Sequence, residues 1–273
     1  MDPILTVLVL YKLNLEDSAA YQSLTRAIRN KSNKSRLLVY DNSPGVHPIP
    51  DSDPWEITYV HDPSNSGVSR AYNCAAAMAR QYPIKWLLLA DQDTVFPESI
   101  YDRYSASMVR YPECSVFVPT LMDHRGIISP FLPQIASGKR LRHPLMGKVS
   151  INKINAINSG LMVHLPLFES TGGYDERFKL DFSDFSFFKK LKRQTNHMVI
   201  IDATCRHAHS SAEKTNLGTA VNRFQIYLQG SYDMGYGEKT YLIFQLRGLL
   251  RAIKLSFEYR SMRFVYSLIY RGV

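Results

Sequence analysis

The chain has 273 residues, 45% of them hydrophobic and 21% charged, with a formal net charge of +9. This excludes a disordered chain and allows one large domain or two modest ones with a sizeable core. Cys74, Cys114 and Cys205 are odd in number, far apart and without a C-x-x-C spacing, so neither a disulfide framework nor a cysteine zinc site is expected, and a reducing compartment is. The positive surplus calls for an anionic partner, with nucleotide diphosphates, nucleic acid and anionic lipid headgroups all open at this level.

Met1 to Lys12 has an apolar centre but an acidic Asp2 and no basic leader, so it reads as a first strand rather than a secretion signal. Within it, Ile4 to Tyr11 is continuously apolar, as in a strand buried on both faces. Ser18 opens a helix that runs to about Asn30. Arg36 to Tyr40 is a second strand, closed by the turn-forming Asp41-Asn42-Ser43-Pro44-Gly45. Glu56 to His61 is a third strand, followed by the loop Asp62 to Gly67 and an alanine-rich helix from Val68 to Tyr82. Lys85 to Ala90 is a fourth strand and delivers Asp91-Gln92-Asp93. A helix is predicted from Pro97 to Tyr111 and a strand from Ser115 to Pro119. Residues 120–155, rich in proline, glycine and basic side chains, read as mostly loop with a hairpin. Ala156 to Leu165 is predicted as a strand interrupted at Ser159-Gly160, Phe182 to Arg193 as a helix, and Met198 to Ala203 as a strand. The chain is helical from about Asn222 onward, and no run approaches the roughly 20 apolar residues that cross a bilayer.

Alternation of strands and helices at this spacing predicts an α/β fold with a mainly parallel sheet flanked by helices. In such sheets ligands bind beyond the carboxyl ends of the strands. Tyr11, Asp41, the loop after His61 and Asp91-Gln92-Asp93 all follow strands, so four strand ends line one rim. Asp91 and Asp93, two apart, share a face of an extended backbone and can converge on a hard cation such as Mg²⁺ or Mn²⁺. By itself the triplet serves equally well as a strand end capping the next helix. Asn65-x-Gly67, entering a helix with Arg70 in its first turn, offers backbone N–H groups and a guanidinium to a phosphate, or is an ordinary capped loop with a solvated arginine.

Taken together, Val9-Leu10-Tyr11, Asp41-Asn42-Ser43, Asn65-x-Gly67 with Asn73, and Asp91-Gln92-Asp93 resemble, in order and spacing, the family-two inverting glycosyltransferases of GT-A fold. The Leu-x-Asp-Gln-Asp form is most similar to their rhamnosyltransferase branch, and the resemblance covers about residues 4–210. It implies a nucleotide-diphosphate sugar donor contacted by Tyr11, Asp41, Asn65, Gly67, Arg70 and Asp91, and Mg²⁺ or Mn²⁺ held by Asp93. Downstream, Asn158-Ser159-Gly160 and Gly172-Gly173-Tyr174-Asp175-Glu176 lead to Leu180-Asp181-Phe182-Ser183-Asp184. Where the family commonly has Glu-Asp, this chain has Ser183-Asp184, so Asp184 matches the catalytic base and Asp181 is the second candidate. Both also suit helix N-capping. His207 matches a histidine of the metal or diphosphate site, with His209 two residues away and a structural role open for either.

Tyr241 to Val273 sets Arg247, Arg251, Lys254, Arg260, Arg263 and Arg271 against Glu258 among many apolar residues, which suits a membrane-surface helix or a packing helix with a basic face. The expected organisation is therefore a GT-A domain over 1–220 and a basic helical extension over 221–273. The resemblance further implies L-rhamnose transfer from dTDP-rhamnose to a lipid-linked saccharide in bacterial surface-polysaccharide (O-antigen) synthesis, in the cytoplasm at the inner face of the plasma membrane. The rival donors are UDP-galactofuranose, UDP-galactose and UDP-glucose. A basic nucleic-acid-binding protein is a rival from another class, but neither RRM nor helix-turn-helix spacing occurs, and nucleic acid is not the expected partner. A binding module on the same scaffold without catalysis is the third.

Overall fold

The computed structural model describes residues 3–29, 35–50, 54–135, 137–207 and 216–269. In chain order the elements are β1 (Ile4–Leu10), α1 (Ala19–Ile28), β2 (Ser35–Asp41), β3 (Trp55–His61), α2 (Val68–Ala79), β4 (Trp86–Asp91), β5 (Thr94–Val95), α3 (Ile100–Arg110), β6 (Val116–Asp123), β7 (Gly126–Ser129), β8 (Phe131–Gln134), β9 (Ser137–Arg140), β10 (Gly147–Ser150), β11 (Met162–His164), α4 (Leu165–Ser170), α5 (Ser183–Leu191), β12 (His197–His207), α6 (Leu217–Gly235), α7 (Tyr241–Tyr259) and α8 (Arg263–Ile269). The main sheet has the order β10-β12-β6-β11-β4-β1-β2-β3, with β5 on β12 and β7 on β6. Strands β1 to β4 are parallel to one another, and β12 is parallel to β6; β11 runs antiparallel between β4 and β6. The predicted α/β architecture is what the chain forms.

Period-two packing accounts for the continuous apolar strands. Leu5, Val7 and Val9 of β1, with Leu87 and Leu89 of β4, face a core shared with α2, α4 and α5. Leu8 and Leu10, with Trp86, Leu88 and Ala90, face a second core under α1 and α3. Both faces of each strand are thus covered, and the one polar side chain within β1, Thr6, is buried with its hydroxyl bonded to the Tyr101 hydroxyl at 3.0 Å. Asp91 continues the parity of Leu87 and Leu89 and is set on the α2 side of the sheet.

The second half departs from expectation in two places. The predicted strand 156–165 is confined to β11, because Asn158-Ser159-Gly160 forms a turn in which Gly160 has φ +78° and a Cβ would lie 2.5 Å from Pro119. Residues 120–155 contain an extended β6 and strands β7 to β10. Their strand character comes from pairing rather than from local propensity: β7 pairs with β6, β10 with β12, and β8 with β9 as a separate antiparallel hairpin, the hairpin expected in this stretch. Residues 220 and 221 lie within α6, and α6 and α7 pack on the sheet domain through Tyr227 and Phe244, which join Phe178 and Phe182 in one aromatic cluster.

Candidate active site

Parallel pairing aligns the strand ends. Leu10 is in register with Asp41, Val9 with Asp91, and Asp41 with His61, so the four expected ends form one rim. Gln92 locks two of them together: its Oε1 accepts the Tyr11 N–H at 2.8 Å and its Nε2 donates to the Tyr11 carbonyl at 3.3 Å. Tyr11, just past β1, is 36% exposed at the rim. Asp41 is fully buried. Its Oδ1 accepts the Ser43 N–H, and its Oδ2 meets His47 Nδ1 and the Tyr59 hydroxyl, each at 2.7 Å. Burial would raise this carboxyl, but the hydrogen bonds from Ser43, His47 and Tyr59 overcome it and hold Asp41 below the usual carboxylate range.

β4 ends at Asp91, and residues 92 and 93 turn into β5. The two carboxylates therefore approach one another through a turn, not through the strand pleat that the sequence implies. Asp91 Oδ1 accepts from the Tyr72 hydroxyl of α2 at 3.2 Å, while its N–H is held by Ser159 Oγ. Asp93 Oδ1 lies 3.5 Å from His207 Nδ1. His207 ends β12, where pairing with β5 puts it opposite Thr94, and the Thr94 hydroxyl contacts both its Nδ1 and Ser159 Oγ at 2.8 Å. The structure thus brings His207 to Asp93. His209 lies outside the described residues. Burial raises Asp91 to about 6, with the Asp93 charge adding and His207 and Tyr72 opposing.

Asp184 stands in the first turn of α5 at the same site. Its Oδ1 accepts the Phe185 N–H at 2.8 Å. Burial, reinforced by the charges of Asp181 and Asp91, pushes it up to about 7 against the opposing Phe185 bond. A buried chain of contacts joins it to Asp91: Tyr72 packs on Tyr174 with ring centroids 4.9 Å apart, the Tyr174 hydroxyl donates to Asn158 Oδ1, and Asn158 Nδ2 donates to Ser183 Oγ. Phe182, between Asp181 and Asp184, has φ +66°, a left-handed conformation that a bulky residue holds only when its surroundings impose it. The aromatic cluster with Phe244 and Tyr227 supplies that constraint. Asp181 is ion-paired with Arg223 of α6, whose two terminal guanidinium nitrogens donate to its two carboxylate oxygens. Here the two aspartates differ, since Asp181 is engaged by a cation that the sequence reading did not single out.

The loop Asn65-Ser66-Gly67 serves a contact inside the protein. Gly67, at φ +94°, sits where a Cβ would be 2.1 Å from the Lys179 carbonyl oxygen, and the Val68 N–H donates to that carbonyl at 2.8 Å. Ser69 Oγ donates to Phe178 O, Arg70 pairs with Glu176 at 3.0 Å, and Asn73 bonds Tyr174 and Glu176. Asn65 itself turns the chain at φ +49°. Gly67, Val68, Ser69, Arg70 and Asn73 thus fasten α2 to residues 174–179, which lead into Asp181 and Asp184. The first N–H of α2, expected for an anion, is spent on Lys179.

Asp93 and His207 give a divalent cation two donors of suitable type, and Asp91 is within electrostatic reach. Among the described residues no group of three or more His, Cys, Asp or Glu is arranged to hold a metal ion. Mg²⁺ and Mn²⁺ sites are commonly completed by substrate phosphates, so the donor set fits a site finished by a bound diphosphate. Beside the rim, a cavity of about 400 Å³ is lined by Thr120, Met122, Arg125, Arg140, Arg142 and Thr204. Thr204 is three residues before His207, roughly 10 Å along the strand.

The fold is shared with known structures. S. aureus TarS, residues 1–349, superposes with a TM-score of 0.54 at 12% identity, over 89% of this chain and 68% of that one. The same TarS piece in complex with UDP-GlcNAc gives 0.52 at 11% identity, over 89% and 69%. The fold is GT-A. A longer TarS structure matches with a TM-score of 0.55 at 12% identity over 93% of this chain, which spans 44% of that length. No family model matches the sequence, and no curated protein does. At these identities the likeness is one of fold.

Proposed function

We propose that the protein is an inverting glycosyltransferase. The observation that carries this reading is Asp184: a half-buried carboxyl raised to about 7, hydrogen-bonded at a helix start, on the same rim as Asp91, Asp93 and His207. A general base acts best with a pKa near the working pH. As the acceptor hydroxyl oxygen bonds to the anomeric carbon, the bond from that carbon to the donor diphosphate breaks on the opposite face, and Asp184 takes the hydroxyl proton. Tyr11 bounds the nucleoside end, with Gln92 fixing its backbone, while Asp41, fully buried, acts from behind by holding Ser43, His47 and Tyr59. Gly67 and Arg70 act at the donor by holding the segment that leads to Asp184 against α2, Arg70 adds positive charge, and Asn65 shapes the turn that brings Gly67 there. Asp181, clamped by Arg223, orients the turn. Asp93 and His207 would hold Mg²⁺ or Mn²⁺, which when bound stabilises the charge of the departing diphosphate.

The donor we favour is dTDP-L-rhamnose, on the Leu89-Ala90-Asp91-Gln92-Asp93 pattern. A UDP-sugar is the second reading, favoured by the fold likeness to TarS, which has been crystallised with UDP and with UDP-GlcNAc. The acceptor is a lipid-linked saccharide, approached from the side of residues 120–155, where Arg125 and Arg142 line the cavity. That acceptor makes the protein peripheral on the cytoplasmic face of a bacterial plasma membrane, in surface-polysaccharide synthesis. No helix among the described residues is long and apolar enough to cross a membrane. Nucleotide release from dTDP-rhamnose, UDP-galactofuranose, UDP-galactose, UDP-glucose and UDP-GlcNAc, with Mg²⁺ or Mn²⁺, tests the reading. One donor turned over by the wild type and not by Asp184→Ala supports it, while equal turnover by that variant defeats the base assignment. No turnover or binding of any donor defeats the whole reading.

A further inference from the structure

Helix α7 has two faces with opposite fates. Phe244, Gly248 and Ala252, four residues apart, are buried, and Gly248 lies so close to α6 that a Cβ would meet Leu228 at 3.1 Å. The other face carries Leu242, Leu246, Leu249, Leu250, Ile253 and Phe257, three or four residues apart and therefore in one stripe. All are exposed, Leu242 at 77% and Phe257 at 81%. An apolar stripe of this length on the outside of a folded chain is a docking surface rather than a surface average. Its surroundings decide the occupant. Residues 241–269 hold five cations, Arg247, Arg251, Lys254, Arg260 and Arg263, against the single acid Glu258. A second copy docked stripe to stripe would bring two such cation sets together. A bilayer with anionic headgroups would take the apolar stripe into its acyl boundary and the cations at its charged surface.

We propose that the outer face of α7 is a docking surface for an anionic lipid bilayer, on which the helix lies flat. The surface also fixes which part of the molecule faces lipid. The inner face of α7 places Phe244 on Phe182, and the neighbouring α6 places Arg223 on Asp181, so the Asp184 turn is one helix layer from the bilayer. This extends the lipid-linked acceptor reading by naming the surface and the lipid charge, and the docking itself stands or falls without it.

The test is co-sedimentation of the full chain with vesicles of phosphatidylcholine alone or with 30% phosphatidylglycerol (about one anionic lipid in three, a composition chosen to exploit the surface potential). Comparison is with Leu246→Glu/Phe257→Glu and, separately, with Arg247→Gln/Lys254→Gln. Both pairs sit on exposed or half-exposed positions, and an unchanged melting temperature shows that each variant folds. The expected result is binding to the anionic vesicles, at least about tenfold weaker binding to neutral ones, and a loss of about tenfold or more in the leucine-phenylalanine variant. The paired cation variant should lose about tenfold on anionic vesicles and change little on neutral ones. Absence of vesicle binding, equal binding to neutral vesicles, or a mass showing wild-type dimers that the Leu246→Glu/Phe257→Glu variant dissolves would each overturn the proposal. Donor turnover without vesicle binding would defeat docking alone, and vesicle binding without turnover of any donor would defeat the transferase reading alone.

Discussion

Replacing Asp184 by asparagine should stabilise the protein and abolish its transfer activity, with the stabilisation appearing only as pH rises. The fold moves this carboxyl from its ordinary 3.8 to about 7, mainly by burial and next by the neighbouring Asp181 and Asp91 charges. Below pH 4 the group is protonated whether the chain is folded or not, and the substitution is nearly neutral. Between pH 4 and 7 the folded chain holds a proton that the unfolded chain releases, so wild-type stability falls as pH rises, and the loss is complete above about 7. A displacement of this size corresponds to about 4 kcal/mol. Asp184 is half-buried rather than sealed, and screening reduces the expected gain to about 1–3 kcal/mol. Asparagine keeps an oxygen for the Phe185 N–H, so that hydrogen bond is not lost with the charge. For a chain of this size the gain corresponds to a rise in melting temperature of roughly 2–10 °C at pH 8. Differential scanning calorimetry of both proteins without ligand, at pH 4.5, 6, 7 and 8, measures it. A difference between the two that stays constant across that range would refute the burial and charge argument, whatever the activity of the variant.

Gly67→Ala puts a Cβ into the Lys179 carbonyl at φ +94° and should cost about 2–4 kcal/mol, read as a lowered urea midpoint; a variant as stable as wild type would mean that the α2 contact does not hold the 174–179 segment. Gln92→Leu removes both bonds to the Tyr11 backbone and should weaken nucleotide binding by about fivefold, roughly 1 kcal/mol, with little change in melting temperature; calorimetric titration with the donor nucleotide checks it. Arg223→Ala leaves Asp181 without its guanidinium partner and should lower stability by about 1–2 kcal/mol, with Arg223→Lys recovering part of it in the same denaturation assay. Asp93→Ala should remove the dependence of donor binding on Mg²⁺ or Mn²⁺, and affinity unchanged by both the substitution and chelation would end the metal assignment.

The first half of the fold was legible because its signals are local. Strands β1 and β4 are buried on both faces and so are apolar apart from the hydrogen-bonded Thr6 and the terminal Asp91, and α2 is alanine-rich where it packs closely on the sheet. Each carboxylate of the rim follows such a run, and parallel pairing brings the strand ends together wherever the strands lie in sequence. The second half was less legible. Strands β7 to β10 exist through their partners, and the residues that form them, Gly126, Pro133, Lys139 and Lys148 among them, have little strand tendency of their own. The Asp181 partner, Arg223, is 42 residues away in a helix that the sequence reading assigned to a separate extension. No spacing rule connects the two. His207 was legible only through resemblance, and Thr94, which positions it, carried no signal beyond its place after the acidic triplet.

The sequence by itself determined the α/β alternation and the rim of strand ends, since burial and backbone periodicity write those directly into residue order, whereas the roles of Asp91, Asp93 and Asp184 were suggested by resemblance. Tertiary structure decided what each group faces. It turned Asp93 to His207 and Asp91 to Tyr72, used Gly67 for a backbone contact with Lys179 rather than open space, and gave Asp181 an arginine while leaving Asp184 to be raised by burial and like charge. It also sorted the apolar residues of α7 into a buried face and an exposed stripe. The physical reason is the same throughout: hydrophobic burial is specified residue by residue, whereas a charge takes its properties from neighbours that only folding brings near it.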